Sequence, residues 1–268
     1  MLLTIDAGNT RTKWAVFNQA GEIVNNGACD NSALSNADFS ALIFERVSIS
    51  NVAGERHANI LTKKLAPYNA TISWIKSTTQ AVGVINHYAQ ATTLGSDRWA
   101  ALIAAWHFKQ APCVVVNAGT AVTIDALSVT LVNNKNQANF IGGLILPGLN
   151  LMQQSLGLAT AQLPKLNLVQ NLTENYTTNI FAKNTTDAIH SGALHAVVGA
   201  ITLMWHELKL QCKQEPFIVI GGGNASVINQ LLTKENATLQ LIPQTVIAEN
   251  LVLQGLYLLD KFMQSDTQ

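Results

Sequence analysis

The stretch "TIDAGNTRTKW", residues 4–14, contains an apolar strand, a tight turn and a second strand. Gly8 and Asn9 are the residue types that join paired strands in hairpins. Asp6 lies at the end of the first strand, and the cation Lys13 follows the turn. The turn is therefore either a plain hairpin or a hairpin whose backbone N–H groups hold an anion such as phosphate.

The same arrangement occurs again in "VVVNAGTAVTID", residues 114–125. Helical segments separate the strands, among them residues 95–110 and a final helix of roughly 245–262. Mixed strands and helices indicate an α/β protein. The repeat predicts two similarly built halves, residues 1–112 and 113–268.

Composition limits the classes of partner. Of 268 residues, 12% are charged and 48% hydrophobic, and 16 basic residues balance 16 acidic ones. This balance does not support an electrostatic nucleic-acid surface. The three cysteines are far apart, which favours reduced thiols in a cytoplasmic protein. Residues 188–206 contain no charged side chain but include histidines, so we interpret them as a buried helix rather than a membrane span.

Three further motifs each have a structural and a functional interpretation. In "LGSDR", residues 94–98, Ser96 is a good helix N-cap, and Asp97 suits the positive end of the helix dipole. Alternatively Asp97 is a general base; at a helix end it is expected to stay ionised and only weakly basic. "GGGN", residues 221–224, and "GGLILPG", residues 142–148, are either structural bends or places where backbone approaches a ligand.

Taken in order, these motifs resemble the type III pantothenate kinases, a family within the superfamily of acetate and sugar kinases, chaperone ATPases and actin. The resemblance covers nearly the whole chain. It is carried by "DAGNTRTKW", "YAQATTLGSDRW", "NAGTAVTID", "GGLILPGL", "KNTTDAIHSG", "GGGN" and "ENLVLQGL".

The resemblance implies two ribonuclease H-like halves with ATP in the cleft between them, and transfer of the γ-phosphoryl group to pantothenate. It also implies a homodimer whose pantothenate site lies near the subunit interface. The implied contacts of ATP and its magnesium ion are Asp6, which holds the magnesium, and Gly8, Asn9, Thr10, Arg11, Lys13 and Thr120. Asp97 matches the catalytic base. The implied contacts of pantothenate are Tyr88, Gly95, Ser96, Asp97, Arg98 and Thr185.

The chain departs from the family pattern at two positions. The second phosphate loop usually begins with Asp, which helps to hold a potassium or ammonium ion, and here that residue is Asn117. Ala91 replaces a usual proline. Two other functions remain open alternatives: phosphorylation of another small alcohol, and a nucleotide-binding accessory regulator of transcription.

Overall fold

A computed structural model describes residues 1–159, 179–239 and 243–265. The strands are β1 Leu2–Ala7, β2 Arg11–Phe17, β3 Ile23–Asp30, β4 Arg46–Asn51, β5 Thr71–Trp74, β6 Gln80–Ala81, β7 Val84–Asn86, β8 Cys113–Ala118, β9 Ala121–Val132, β10 Lys135–Pro147, β11 Phe217–Gly221 and β12 Thr245–Ile247. The helices are α1 Glu55–Leu65, α2 Ser96–Lys109, α3 Leu149–Ala159, α4 Thr185–Cys212, α5 Ala225–Leu239 and α6 Leu251–Ser265.

The chain forms two compact units. The first contains Met1–Gln110, Gln137–Phe140 and the segment from Asn250 onward, and the second contains Ala111–Asn136 and Ile141–Glu249. The two-part division by sequence assigned every residue after 112 to one half. In the structure, the final helix and four residues of β10 belong instead to the first unit.

A five-stranded sheet in the order β3-β2-β1-β4-β5 forms the framework of the first unit. β1 is antiparallel to β2 and parallel to β4. Because β1 is central and apolar, Leu3 and Ile5 are fully buried in a core that includes Phe39 and Leu61. The polar turn between β1 and β2 is therefore held at the end of a buried strand.

The other sheet has seven strands, in the order β12-β11-β8-β9-β10-β7-β6, and its first five strands repeat the arrangement of the five-stranded sheet. β8 corresponds to β1: it is antiparallel to its hairpin partner β9 and parallel to β11. The expectation of two similarly built α/β halves is thus confirmed by strand order and direction.

Helix α6 packs against the first unit through a very close approach to α2. A Cβ added to Gly255 would overlap the backbone of Ala100. Leu256 is fully buried, and Asp260 forms an ion pair with Arg46 of β4 at 3.0 Å. The prediction of one helix from about 245 was wrong at its start. Thr245–Ile247 is the strand β12, which suits its β-branched residues.

Helix α4 is long and apolar enough to cross a membrane by length and composition alone. One face of it packs in the hydrophobic core of the second unit, where Leu194, Val198, Ile201 and Trp205 are buried. Its first turn is capped by Asn184, whose Oδ1 accepts a hydrogen bond from the Asp187 N–H at 2.9 Å. This is the packing of a core helix.

Candidate active site

The first hairpin turn projects from the end of the β1–β2 ladder. Asp6 is paired in register with Lys13, and the Gly8 N–H donates to the Arg11 carbonyl at 3.1 Å. Asn9, Thr10 and Arg11 are exposed. The structure therefore brings together the residues expected at the ATP phosphates from the first hairpin. Arg11 also lies 3.3 Å from Asp30, an ion pair between two exposed side chains.

The Asp6 carboxyl is in an unusual electrostatic position. Its Oδ1 is buried and has no hydrogen-bond partner within the described part of the chain. Burial, and secondly the nearby Asp97 carboxylate, raise the pKa of Asp6 to about 7, against the opposing charge of Lys13. An unsatisfied buried carboxylate oxygen beside an exposed turn is a suitable ligand for a hard cation.

The residues present fit one magnesium ion held jointly with phosphates. No cluster of three or more His, Cys, Asp or Glu side chains suited to a metal occurs among the described residues. Magnesium in phosphoryl-transfer sites keeps several waters and needs only one or two carboxylates in addition to substrate phosphates. Asp6 meets that requirement.

Asp97 lies in the first turn of α2. Its Oδ1 accepts a hydrogen bond from the Arg98 backbone N–H at 2.8 Å. Burial nevertheless raises the pKa of Asp97, against the lowering effects of that hydrogen bond and of the Arg98 charge. The expectation of a weakly basic carboxylate at a helix end was wrong, because desolvation outweighs the helix terminus here.

The two residues before Asp97 have structural roles. Gly95, not Ser96, is the N-cap of α2. Ser96 is buried instead, with its hydroxyl 2.8 Å from that of Ser50, so the interpretation of Ser96 as the cap was wrong. A Cβ on Gly95 would lie 2.5 Å from Asp97 Oδ1. Gly95 therefore leaves room for the Asp97 carboxyl.

Arg98 forms a cationic group with two aromatic rings. It is only 5% exposed, and its Nη1 donates to the Tyr88 hydroxyl at 2.9 Å. The guanidinium carbon lies 5.6 Å from the centroid of the Tyr88 ring and 6.0 Å from that of Phe140. The structure thus joins Tyr88 and Arg98 and adds Phe140, a residue that no sequence motif indicated. A buried, oriented guanidinium suits recognition of a carboxylate.

The second hairpin turn is surrounded by glycine backbone. The Gly148 N–H donates to the Thr120 carbonyl at 2.9 Å, and the Asn224 N–H donates to the Ala118 carbonyl at 3.1 Å. A Cβ on Gly148 would overlap the carbonyls of Gly119 and Thr120. At Gly222, where φ is +96°, a Cβ would lie 2.5 Å from the Ala118 oxygen. "GGLILPG" and "GGGN" therefore both hold this turn by close backbone contact.

Three predicted site residues belong to the second unit. Asn117 is half-buried at the end of β8, between Thr123 and Gly221 in register, and Thr120 is exposed in the turn. Thr185 is exposed at the start of α4. Their predicted ligand contacts stay predictions.

Comparisons with known proteins agree with this geometry. The model of the type III pantothenate kinase family matches residues 2–207. A type III pantothenate kinase from Methylobacillus flagellatus is 41% identical over 263 residues, which cover 97% of this chain and 98% of that protein. One from Nitrosospira multiformis is 36% identical, covering 96% of this chain and 89% of that protein.

Solved structures share the fold at low sequence identity. A Listeria monocytogenes protein assigned as an N-acetylmannosamine kinase matches with a TM-score of 0.53 and 15% identity, covering 99% of each chain. The ethanolamine utilization protein EutJ from Carboxydothermus hydrogenoformans matches with a TM-score of 0.51 and 11% identity, covering 96% of this chain and 89% of that one. The family model spans most of the sequence and relatives match it along nearly its whole length. The chain therefore belongs to the type III pantothenate kinase family.

Proposed function

We propose that this protein transfers the γ-phosphoryl group of ATP to the primary hydroxyl of pantothenate. The products are ADP and 4′-phosphopantothenate, and the reaction is the first step of coenzyme A biosynthesis. The observation that carries the proposal is the pair of carboxyls of Asp6 and Asp97, whose pKa values are both raised in the same unit. Burial raises both pKa values, and the Asp97 carboxylate raises that of Asp6 further; carboxyls perturbed in this way are typical of catalytic sites.

Asp97 acts as the general base. It accepts the proton as the O–H bond of the pantothenate hydroxyl breaks, while the oxygen forms a bond to the γ-phosphorus and the bond to the β-phosphate oxygen breaks. A carboxylate with a raised pKa binds this proton more firmly than an exposed one, which favours transfer. Because the transition state of phosphoryl transfer is loose, positioning of the hydroxyl contributes as much as basicity does.

Asp6 holds the magnesium ion through its buried Oδ1. When bound, this ion neutralises charge on the ATP phosphates. Lys13, opposite Asp6 in the ladder, contacts the phosphate tail. The exposed turn of Gly8, Asn9 and Thr10, followed by Arg11, offers backbone N–H groups to phosphate oxygens.

Arg98 binds the carboxylate of pantothenate. Its guanidinium is held by the Tyr88 hydroxyl and by two aromatic rings, so little side-chain freedom is lost on binding. Gly95 and Ser96 shape the approach to Asp97, and Thr185 is a further pantothenate contact. Thr120 contacts ATP, and Asn117 is a weakened ligand of a monovalent cation.

The proposal includes a cytoplasmic homodimer. Gly192, Ala196 and Gly199 lie on an exposed face of α4, and a Cβ at either glycine would meet nothing within 4 Å. Such small residues permit close approach of a second helix. Sedimentation at about micromolar concentration tests this; a fully active monomer would contradict a shared site.

The experiment that tests the activity measures ATP consumption with pantothenate and with a panel of other primary alcohols, with products weighed by mass spectrometry. We expect a phosphorylated product from pantothenate and slower turnover of the other alcohols. Preferred turnover of another alcohol would indicate a different small-alcohol kinase. Tight ATP binding without turnover of any alcohol would favour the nucleotide-binding regulator.

A further inference from the structure

A chain of hydrogen bonds holds the first hairpin turn from outside the turn itself. Asn31, which follows β3, donates from Nδ2 to the Gly8 carbonyl at 2.8 Å and from its backbone N–H to the Thr10 carbonyl at 2.9 Å. Thr12 Oγ1 lies 2.9 Å from Asn31 Oδ1 and 3.0 Å from His57 Nε2. Two of the turn's carbonyls are therefore anchored to one asparagine.

The number of protons that each group can donate fixes the direction of every hydrogen bond in this network. The Gly8 carbonyl only accepts, so Asn31 must present its amide nitrogen there and its amide oxygen to Thr12. The single hydroxyl proton of Thr12 then goes to Asn31, and His57 must donate from Nε2. Thr12 is fully buried and His57 is 7% exposed. Burial also lowers the pKa of His57, which is consistent with a neutral ring protonated at Nε2.

The anchored carbonyl fixes the direction of a neighbouring N–H group. The described backbone contains no cis peptide bond, so the Gly8–Asn9 peptide is planar and trans. Because its carbonyl points to Asn31, the Asn9 N–H points away from Asn31. An N–H that is already oriented at an exposed turn binds an anion without further loss of backbone freedom.

We propose that Asn31 is a positioning residue for the ATP phosphates, and that Thr12 and His57 hold it in place. The inference rests on the proposed function, since ATP is the anion assigned to this turn. The competing interpretation is that the network only stabilises the hairpin. The two differ in one measurable respect: a positioning role alters ATP affinity but not pantothenate affinity.

The test replaces Asn31 by Ala and compares it with Asn26→Ala, an exposed asparagine on β3, the strand that precedes Asn31. For Asn31→Ala we expect the ATP KM to rise by about tenfold, the effect of one or two lost hydrogen bonds. The pantothenate KM is expected to stay unchanged, and Asn26→Ala to match the natural protein. Calorimetric binding of a non-hydrolysable ATP analogue with magnesium gives the same comparison without turnover.

A second pair of variants covers the case in which Asn31→Ala does not fold. Thr12→Val removes the hydroxyl that donates to Asn31, whereas Thr12→Ser keeps it. We expect weaker binding of the ATP analogue by the Val variant and near-normal binding by the Ser variant.

Unchanged analogue affinity in folded Asn31→Ala, or in Thr12→Val where Asn31→Ala does not fold, would overturn the positioning role, even if the melting temperature fell. If the natural protein binds the analogue but does not phosphorylate pantothenate, the proposed function fails, and the affinity comparison still decides this inference. If the natural protein does not bind the analogue, both fail.

Discussion

Replacing Asp6 by Asn is expected to abolish turnover and yet to stabilise the ligand-free protein at neutral and alkaline pH. In the folded state the charged form of Asp6 is disfavoured by burial and by the Asp97 carboxylate. The pKa rises from 3.8 to about 7, and at about 1.4 kcal/mol per unit this corresponds to about 4 kcal/mol. Asparagine cannot ionise and so removes that penalty.

The sign of the pH dependence follows from linkage. Because the folded-state pKa is the higher one, the folded protein binds more protons than the unfolded chain between pH 3.8 and about 7. The contribution of Asp6 to stability is therefore intact below pH 3.8 and is lost as pH rises to about 7. The stability of Asp6→Asn relative to the natural protein should therefore rise by about 4 kcal/mol between about pH 4 and about pH 8.

The assay is denaturant unfolding of both proteins in chelator across that pH range, with Glu55→Gln as a control at an exposed carboxyl. The buried amide of Asn leaves a polar atom unsatisfied, which costs about 1–3 kcal/mol. That cost is the same at every pH, so only the slope is diagnostic. A stability difference that is constant from acid to alkaline pH would refute the reasoning.

Four other changes test the remaining parts of the site. Asp97→Asn should fold normally and lose turnover by about a hundred- to ten-thousand-fold in steady-state kinetics; a folded variant with normal turnover would exclude a general base. Arg98→Ala should raise the pantothenate KM and spare that of ATP, because the guanidinium is assigned to the carboxylate, and the reverse pattern would reassign it. Turnover should respond weakly to potassium in the natural protein, because Asn117 offers an amide dipole instead of a charge, and Asn117→Asp should make the response steep and saturable. Tight potassium activation that the Asp substitution leaves unaltered would contradict this. Gly255→Ala should lower the free energy of unfolding by about 1–3 kcal/mol through overlap with Ala100. Gly223→Ala, where an added Cβ meets nothing within 4 Å, should not; equal melting temperatures of the two variants would argue against the close helix contact.

The hairpins that form the framework of the fold could be predicted because each is specified by residues that are adjacent in sequence. A glycine turn between apolar strands specifies a hairpin from adjacent residues, and that signal occurs at both Gly8 and Gly119. The strand order that makes the two sheets alike agrees with the repeat. The place of the last helix in the first unit could not be predicted from local signals, since its partner α2 lies far away in sequence.

The site was predicted less completely, because some of its contacts join residues that are far apart in sequence. Gly95, Asp97 and Arg98 are adjacent in sequence, so one motif contained them. Phe140 and Asn31 reach the site residues only through folding, and neither has a spacing that would reveal it. The basicity of Asp97 was misjudged because desolvation depends on what surrounds the carboxyl and not on its position in a helix.

Because α6 belongs to the first unit, that unit is assembled from segments made at the beginning and at the end of synthesis. A ribosome delivers β1 to α2 first, then β8 to β12, and only afterwards the helix whose Gly255 and Leu256 pack in the first unit. Until then the face of α2 that α6 covers is open to chaperones and proteases. A chain that terminates early would keep that face uncovered, although the β1–β2 and β8–β9 hairpins had already been made. The first unit can therefore complete its folding only after the second unit has been translated.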